Sequence, residues 1–312
     1  LNDSYARASI ADRLGLWTLK GVLRLLRGAD LPSAQARGAA LGRRLAALDP
    51  RWRAIAEAQI AACIPDIDAA AIARENYAHY GMVLAEIANA DRIIGNPDHF
   101  EYEGVEHVES LRGGGLFVTA HLGNWELTGA AHTARFGSFT ALVKPLRNAF
   151  IDDWINSQRR RIGVTPLETR DQALPALRRL RAGETLAVLN DQNSLNHEGV
   201  FVPFFGRLAS THYGPAMLAI RAGRPVITAF GVRLPDGRTR LTYDPPLEIP
   251  PGRDLRERTW ALTAMLTTRI EAAVRQHPEQ WFWVHRRWKN VPAPTTPAWR
   301  MPPELREGRN DE

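Results

Sequence analysis

Cysteine is nearly missing from this chain: Cys63 stands alone among 312 residues. That excludes an intramolecular disulfide and a cysteine-built metal cluster, and leaves a buried, inert thiol as the simplest role. Long apolar runs are missing too. The stretch ADRLGLWTLKGVLRLLRG near the start is interrupted by Arg13, Lys20, Arg24 and Arg27. It therefore falls short of the ~20 apolar residues that a spanning helix needs, and charges recurring throughout do not suit a cleavable leader. No GxGxxG, P-loop, HExxH or GxSxG pattern occurs, which removes the common dinucleotide, nucleotide, zinc-protease and serine-hydrolase readings. A Ser, Cys or Asp nucleophile with a matched histidine is not evident. There is no internal repeat, and no block of like charge long enough to serve as an arm.

What remains is an ordinary globular composition, 45% hydrophobic and 24% charged. The length suits one large α/β domain or two smaller ones. Forty Lys+Arg against 34 Asp+Glu give a net charge of +6, which favours anionic partners. Most of the forty are arginines, suited to bidentate phosphate or carboxylate contacts. Near the start, Ile10, Leu14, Trp17, Gly21 and Leu25 fall at helical spacing, widened by Val22, Leu23 and Leu26. Such a tryptophan-bearing helix with a basic face fits a membrane interface or packing on the protein's own core; the pattern admits both.

Residues 1–95 read as helical, with turns near Asp30–Pro32, Asp49–Pro50 and Pro65. From about residue 96 to 290, short apolar runs alternate with helical stretches. The expected strands are Leu116–Ala120, Phe139–Val143, Thr185–Leu189, Pro225–Leu234 and Thr239–Tyr243. The expected helices are Asn124–Arg135, Phe150–Arg161, Asp171–Arg181, Tyr213–Ala222 and Leu255–His277. Such alternation predicts a mostly parallel sheet flanked by helices, with an antiparallel hairpin turned at Asp236–Gly237. Residues 291–312 are proline-rich and polar, as in an extended tail.

Within LFVTAHLGNWELTG, a histidine directly follows an apolar run, and Glu126 follows His121 with four residues between. Asn124 is a plausible helix N-cap and Glu126 belongs to the first helical turn, where a negative charge suits the helix dipole. Five positions do not align on one straight helix face. They do converge if His121 lies on the strand-to-helix turn, so Glu126 is expected to orient His121. Alone, that pair is weak evidence, since most histidines are structural.

Its company strengthens it. NDQNSLNHEGVFVPFFG follows the Thr185–Leu189 strand, placing Asp191 and Gln192 at the sheet's carboxyl edge, where open parallel sheets bind ligands. Phe201, Phe204 and Phe205 supply an apolar loop wall, either core packing or a slot for a hydrophobic ligand. Basic residues cluster at Lys144 and Arg147, in the run Arg159, Arg160 and Arg161, and at His285, Arg286, Arg287 and Lys289 amid Trp281, Trp283 and Trp288. Arginine beside tryptophan fits single-stranded nucleic acid or a lipid headgroup interface, but no nucleic-acid recognition signature is present. A histidine with a carboxylate and no protein nucleophile implies general-base catalysis on a hydroxyl or water.

Taken in order, GLFVTAHLGNWELTG, VKPLRN, RRRIGV, NDQNSLNHEGVFVPFFGRLAST and EQWFWVHRRWK resemble the motifs of the bacterial lipid A biosynthesis acyltransferases and the related phosphatidylinositol mannoside acyltransferases. The resemblance runs from about Tyr5 to Val291. It implies a glycerolipid-acyltransferase-like fold at residues 96–290, behind an N-terminal helical, membrane-associating segment. The implied reaction moves a fatty acyl chain from acyl carrier protein, or coenzyme A in the mycobacterial relatives, to a hydroxyl of a phosphorylated glycolipid. It implies His121 and Glu126 as the catalytic HX4E pair. Arg160 or Arg161 would be the family's basic position, Asp191 and Gln192 its Asp-Gln segment, and His285, Arg286 and Arg287 its C-terminal motif. Asn124, Lys144 and Arg147 join these as candidate substrate contacts, with Phe204 and Phe205 as part of the acyl groove. No metal or other cofactor is implied. The expected location is the cytoplasmic face of the bacterial inner membrane, with the charged amphipathic helix standing where many members carry a hydrophobic anchor.

Overall fold

The computed structural model describes residues 9–28, 30–168, 173–195, 197–252 and 254–309. The first residues of the expected helix Asp171–Arg181 lie outside that set. Among the described residues, five helices precede the first strand: α1 (Ile10–Leu26), α2 (Leu31–Leu48), α3 (Pro50–Cys63), α4 (Ala69–Ala88) and the short α5 (Ala90–Ile94). Each of the first four starts with an N-cap, at Ser9, Asp30, Asp49 and Asp68, whose side chain accepts from the backbone N–H of the third helical residue. Helices α2 and α4 meet at glycines. A Cβ on Gly38 would come within 2.3 Å of the Gly81 carbonyl oxygen, and one on Gly42 within 2.0 Å of the Tyr77 oxygen. Backbone therefore packs directly on backbone.

A seven-stranded sheet follows, built from β1 (Phe100–Glu103), β2 (Gly115–Thr119), β3 (Phe139–Val143), β4 (Val164–Glu168), β5 (Thr185–Leu189), β8 (Val226–Arg233) and β9 (Thr239–Tyr243). Their order is β1-β9-β8-β2-β5-β3-β4, and every pair is parallel except β8–β9. That exception is the expected hairpin. The connecting helices are α6 (Val105–Glu109), α7 (Trp125–Phe136), α8 (Ala149–Arg161), α9 (Ala173–Arg181) and α10 (Gly214–Ala222), and α11 (Leu255–Gln276) follows the hairpin. Leu116, Val118 and Leu186 are fully buried, and one face of β2 packs into a core shared with Leu180, Leu262, Leu266 and Ile270.

Two expectations change. The segment read as an aromatic loop is a separate two-stranded hairpin, β6 (Gly199–Phe204) with β7 (Arg207–His212), turned at Phe205 and Gly206. Both turn residues have positive φ, 53° and 69°, the signature of a tight hairpin turn whose twist matches its strands. Phe205 tolerates this because its N–H donates to Glu271 Oε2 at 2.5 Å and its ring lies under the Arg275 guanidinium at 4.4 Å. The second change is in the tail. Residues 291–309 form short 3₁₀ turns seated on the body, with Ala298 and Met301 buried and Arg306 paired with Glu257. Its apolar residues have a surface to cover.

Candidate active site

Strands β2 and β5 run side by side with Thr119 opposite Leu189. Two residues beyond each strand end, the chain places His121 and Asp191 together. The Asp191 carboxylate grips His121 twice: Oδ2 accepts from the His121 backbone N–H at 2.9 Å and Oδ1 meets the ring Nδ1 at 2.8 Å. Trp281 Nε1 donates to the same Oδ2 at 2.7 Å. Asp191 is buried. Burial alone raises a carboxyl pKa, but the His121 charge and these three hydrogen bonds outweigh it and hold Asp191 below the ordinary carboxylate value.

Because a carboxylate only accepts, Nδ1 carries the proton, and Nε2 is the basic nitrogen. The Gln192 amide nitrogen stands 3.4 Å from Nε2, and the Trp125 ring meets the imidazole edge-on with centroids 4.9 Å apart. The imidazole is partly exposed, at 23%.

Glu126 occupies a different place from the one its spacing suggests. Both of its oxygens face the Arg159 guanidinium, at 3.0 Å from Nε and 2.5 Å from a terminal nitrogen, and Trp125 Nε1 adds a 3.2 Å bond. The carboxylate that orients His121 in this structure is thus Asp191, seventy positions away, and Glu126 holds Arg159. Arg159 in turn donates to Asn156 Oδ1 one turn back along α8. Arg160 and Arg161, the expected basic position, are exposed, and Arg161 reaches Asp91 at 3.5 Å. The usable signal was the spacing of Asn156 and Arg159 on one helix face.

The turn from His121 to Asn124 is pinned from behind. Gly123 has φ 60°, and a Cβ there would lie 1.9 Å from the Gly231 carbonyl oxygen of β8, so only glycine fits. Asn124 caps α7 by accepting from Leu127 N–H, and its amide donates to Glu86 Oε2 at 2.8 Å. Glu86 also receives Gln35 and Arg233, and it is almost wholly buried. Arg233 then faces His79 Nδ1 at 2.7 Å, while His79 Nε2 lies 3.2 Å from the Gly123 carbonyl. Since Arg233 only donates, His79 carries its proton on Nε2 and donates to Gly123. Burial first, then the Arg233 charge, keep its pKa well below normal. Asn124 is therefore a structural cap rather than a free substrate contact.

The C-terminal motif braces the other side. His285 Nε2 accepts from Asn193 N–H at 2.8 Å, and burial brings its pKa down to about 4, so it is neutral and serves the 190–194 loop. Arg287 is wholly buried. It donates to the Ser210 carbonyl and the Thr211 hydroxyl, each at 2.5 Å, and lies over the Phe204 ring at 5.2 Å; burial lowers its pKa to about 10. Arg286, Lys144 and Arg147 are exposed, away from these contacts.

A groove runs between α7 and one face of the sheet, enclosing about 710 Å³ including its open mouth. The strands contribute every second residue: Phe117 and Thr119 from β2, Phe139, Ala141 and Val143 from β3, Ala187 and Leu189 from β5, as the pleat requires for one face. Helix α7 contributes Trp125, Thr128, Gly129 and His132, one helical stripe. Small residues on both sides, Gly129, Ala141, Ala187 and Ala229, leave the gap unfilled. Glu126 and Arg159 also line it, beside Trp125, which touches the His121 ring. Phe204 and Phe205, expected here, are buried instead in the opposite core against Trp281, Trp283 and Trp288. Their hairpin faces inward, so core packing is their role.

Among the described residues no cluster of His, Cys, Asp or Glu is arranged to hold a metal ion, and no helix is long and apolar enough to cross a membrane. A family model described as bacterial lipid A biosynthesis acyltransferase matches residues 5–290. Among curated relatives, the lipid A biosynthesis lauroyltransferase of Escherichia coli K12 is 27% identical over 88% of this chain and 92% of its own length. The palmitoleoyltransferase of lipid A biosynthesis from the same strain is 26% identical, covering 78% and 80%. A phosphatidylinositol mannoside acyltransferase of Mycobacterium tuberculosis CDC 1551 is 25% identical, covering 64% and 60%.

Proposed function

The chain belongs to the bacterial lipid A biosynthesis acyltransferases, and from that premise we propose that it moves a fatty acyl chain from an acyl carrier protein thioester to a hydroxyl of a phosphorylated glycolipid. The observation that carries the chemistry is a histidine whose Nδ1 is held by a buried carboxylate and whose Nε2 is left basic beside an apolar groove. In this reaction the acceptor hydroxyl gives its proton to His121 Nε2 as its oxygen attacks the thioester carbonyl carbon. The tetrahedral intermediate then breaks its C–S bond, and the imidazolium returns the proton to the departing sulfur. Asp191 fixes the tautomer and stabilises the charged ring, as the aspartate of a serine triad does.

Glu126 acts at one remove, by holding the Arg159 guanidinium at the groove mouth, where a positive charge suits the oxyanion that forms on the thioester carbonyl. The exposed Lys144, Arg147, Arg160, Arg161 and Arg286 supply positive potential for an acidic carrier protein or a phosphorylated headgroup. The second reading is transfer from coenzyme A to a phosphatidylinositol mannoside, lysophospholipid or aminolipid; the name of the mycobacterial relative favours the first of these acceptors.

The membrane side of the proposal rests on α1. Ile10, Leu14, Trp17 and Leu25 are 60–80% exposed on one side of that helix, with Lys20 against the Trp17 ring. An amphipathic helix of this kind lies in the headgroup region of an anionic bilayer, here at the cytoplasmic face of the inner membrane. Changing Trp17 to Glu should reduce sedimentation with anionic vesicles while leaving the far-UV spectrum unchanged; unchanged sedimentation would remove α1 from the attachment.

The function is tested by mass spectrometry of the lipid product after mixing the protein with acyl carrier protein or coenzyme A thioesters and candidate acceptors. His121→Ala should lower acyl transfer by about 10²–10⁴-fold, the range for a general base. Activity within a few-fold of the parent would contradict the mechanism. No transfer from either donor, with lipid still bound, would favour a non-catalytic lipid-binding role.

A further inference from the structure

The surroundings of His121 leave one polar side chain facing its basic nitrogen. Asp191 holds Nδ1 at 2.8 Å, the Trp125 ring meets the imidazole edge-on with centroids 4.9 Å apart, and Phe282 lies at 32° to it with centroids 6.0 Å apart. Tyr80 of α4 reaches the backbone rather than the ring, its hydroxyl 3.4 Å from the His121 carbonyl oxygen. The Gln192 carboxamide nitrogen faces Nε2 at 3.4 Å. An N–H donor ordinarily stands ~2.9 Å from its acceptor, so this contact is weak and an incoming oxygen displaces it at little cost.

The chain around Gln192 is fixed, whereas its side chain holds nothing up. Before it, Asn190 N–H donates to the Thr119 carbonyl at 3.0 Å, and Asp191 is bound to His121. After it, Asn193 N–H donates to His285 Nε2 at 2.8 Å, Asn193 Oδ1 accepts from Asn290 N–H at 3.1 Å, and Ser194 N–H donates to the Ser210 carbonyl at 3.0 Å. Between these anchors Gln192 is half-buried, and among the described residues its side chain has its hydrogen-bond contact with His121 alone. The amide oxygen is left over.

We propose that Gln192 covers Nε2 in the free protein and, when the acceptor arrives, seats its hydroxyl on that nitrogen. The inference rests on the acyl-transfer reading for the identity of the acceptor. A hydroxyl oxygen offers one proton and two lone pairs. At the moment of attack the proton passes to Nε2 and one lone pair forms the bond to the thioester carbonyl carbon. The second lone pair accepts from the Gln192 N–H, and Gln192 keeps both of its own protons throughout. All four directions around the oxygen are then used, which fixes its angle of attack. The free Oε1 is placed to accept from a second hydroxyl of the acceptor, which a single simple alcohol lacks.

The test uses the full chain with a dodecanoyl acyl carrier protein thioester and detergent-dispersed lipid A precursor, comparing the parent with Gln192→Met and Gln192→Glu. Gln192→Met keeps the length of the side chain without the amide. It should lower kcat/KM for the acceptor by about 10–100-fold, the range for a hydrogen bond to a group that becomes charged, while KM for the thioester stays put. Gln192→Glu sets a carboxylate against Nε2, which favours the charged ring, so the acid limb of the pH–rate profile should move up by about 1–2 pH units. A residue out of contact with Nε2 would leave that limb in place. Independently of turnover, carbethoxylation of His121 by diethyl pyrocarbonate, mapped by peptide mass spectrometry, reports access to the ring. It should run several-fold faster in Gln192→Met, and more precursor should be needed to protect the variant. Parental kinetics and parental carbethoxylation in both variants, with transfer intact, would overturn the assignment while leaving acyl transfer standing. Faster carbethoxylation and weaker protection, with no transfer from the thioester even by the parent, would support the role of Gln192 and overturn the transfer reading.

Discussion

Two histidines near the groove each meet an oxygen, and they do opposite work. Beside it, against Trp125, His121 faces an ionised, fully buried carboxylate and is itself partly exposed. In its lining, His132 faces a neutral phenol among the rings of Phe117, Phe136, Phe139 and Tyr243, and burial holds its pKa to about 4. A carboxylate partner favours the imidazolium that proton abstraction creates, whereas an apolar cage forbids it. Residue type alone does not make a base; the charge of the partner and access to solvent do.

The comparison breaks most severely if the support behind the mouth is removed. Glu86→Gln leaves buried Arg233 without its counter-charge and loosens Asn124. Taking one partner from such a pair should cost about 3–5 kcal/mol, seen as a lower midpoint in urea denaturation.

A smaller effect comes from pH. His132 and His285 both fall to about 4 from an ordinary 6.5. Their folded pKa values lie below the unfolded ones, so the unfolded chain binds more protons between pH 6.5 and 4, and stability drops as pH falls through that window. At pH 5 each should cost on the order of 2 kcal/mol. Urea titrations at pH 7 and pH 5 should show the loss, and His132→Phe should reduce it. By contrast, the depressed Asp191 contributes stability above its unfolded value, near 4, that is lost only at lower pH. The smallest effect is at Tyr243→Phe, which deletes one buried hydrogen bond to His132. It should lower stability by about 1 kcal/mol, and its thermal midpoint should fall by a few degrees.

The elements legible in the sequence were those with a consistent local pattern. Phe139–Val143, Thr185–Leu189 and Thr239–Tyr243 fall on the strands as expected, because short apolar or alternating runs bounded by turn residues admit little else. The strands that escaped carry conflicting signals. Residues 164–168 hold Pro166, which a central strand excludes but β4 tolerates at the sheet's edge. Phe100–Glu103 alternates with charge at the other edge, and β6 contains Pro203. The partner of His121 escaped for a different reason. A spacing of five suggests a local pair, whereas Asp191 arrives through the lateral register of β2 and β5, which one sequence does not display. Likewise the groove is an absence of side-chain volume between layers, and only packing reveals where small residues face each other.

The central claim, that Asp191 rather than Glu126 orients His121, is tested most directly by measuring kcat/KM for acyl transfer in Asp191→Asn and Glu126→Gln side by side. Asp191→Asn should fall by about 10³–10⁴-fold, the order seen when a histidine-orienting aspartate becomes an amide. Glu126→Gln should lose far less, since it leaves the His121 tautomer untouched. Near-parental activity in Asp191→Asn, with the large loss in Glu126→Gln, would contradict the account.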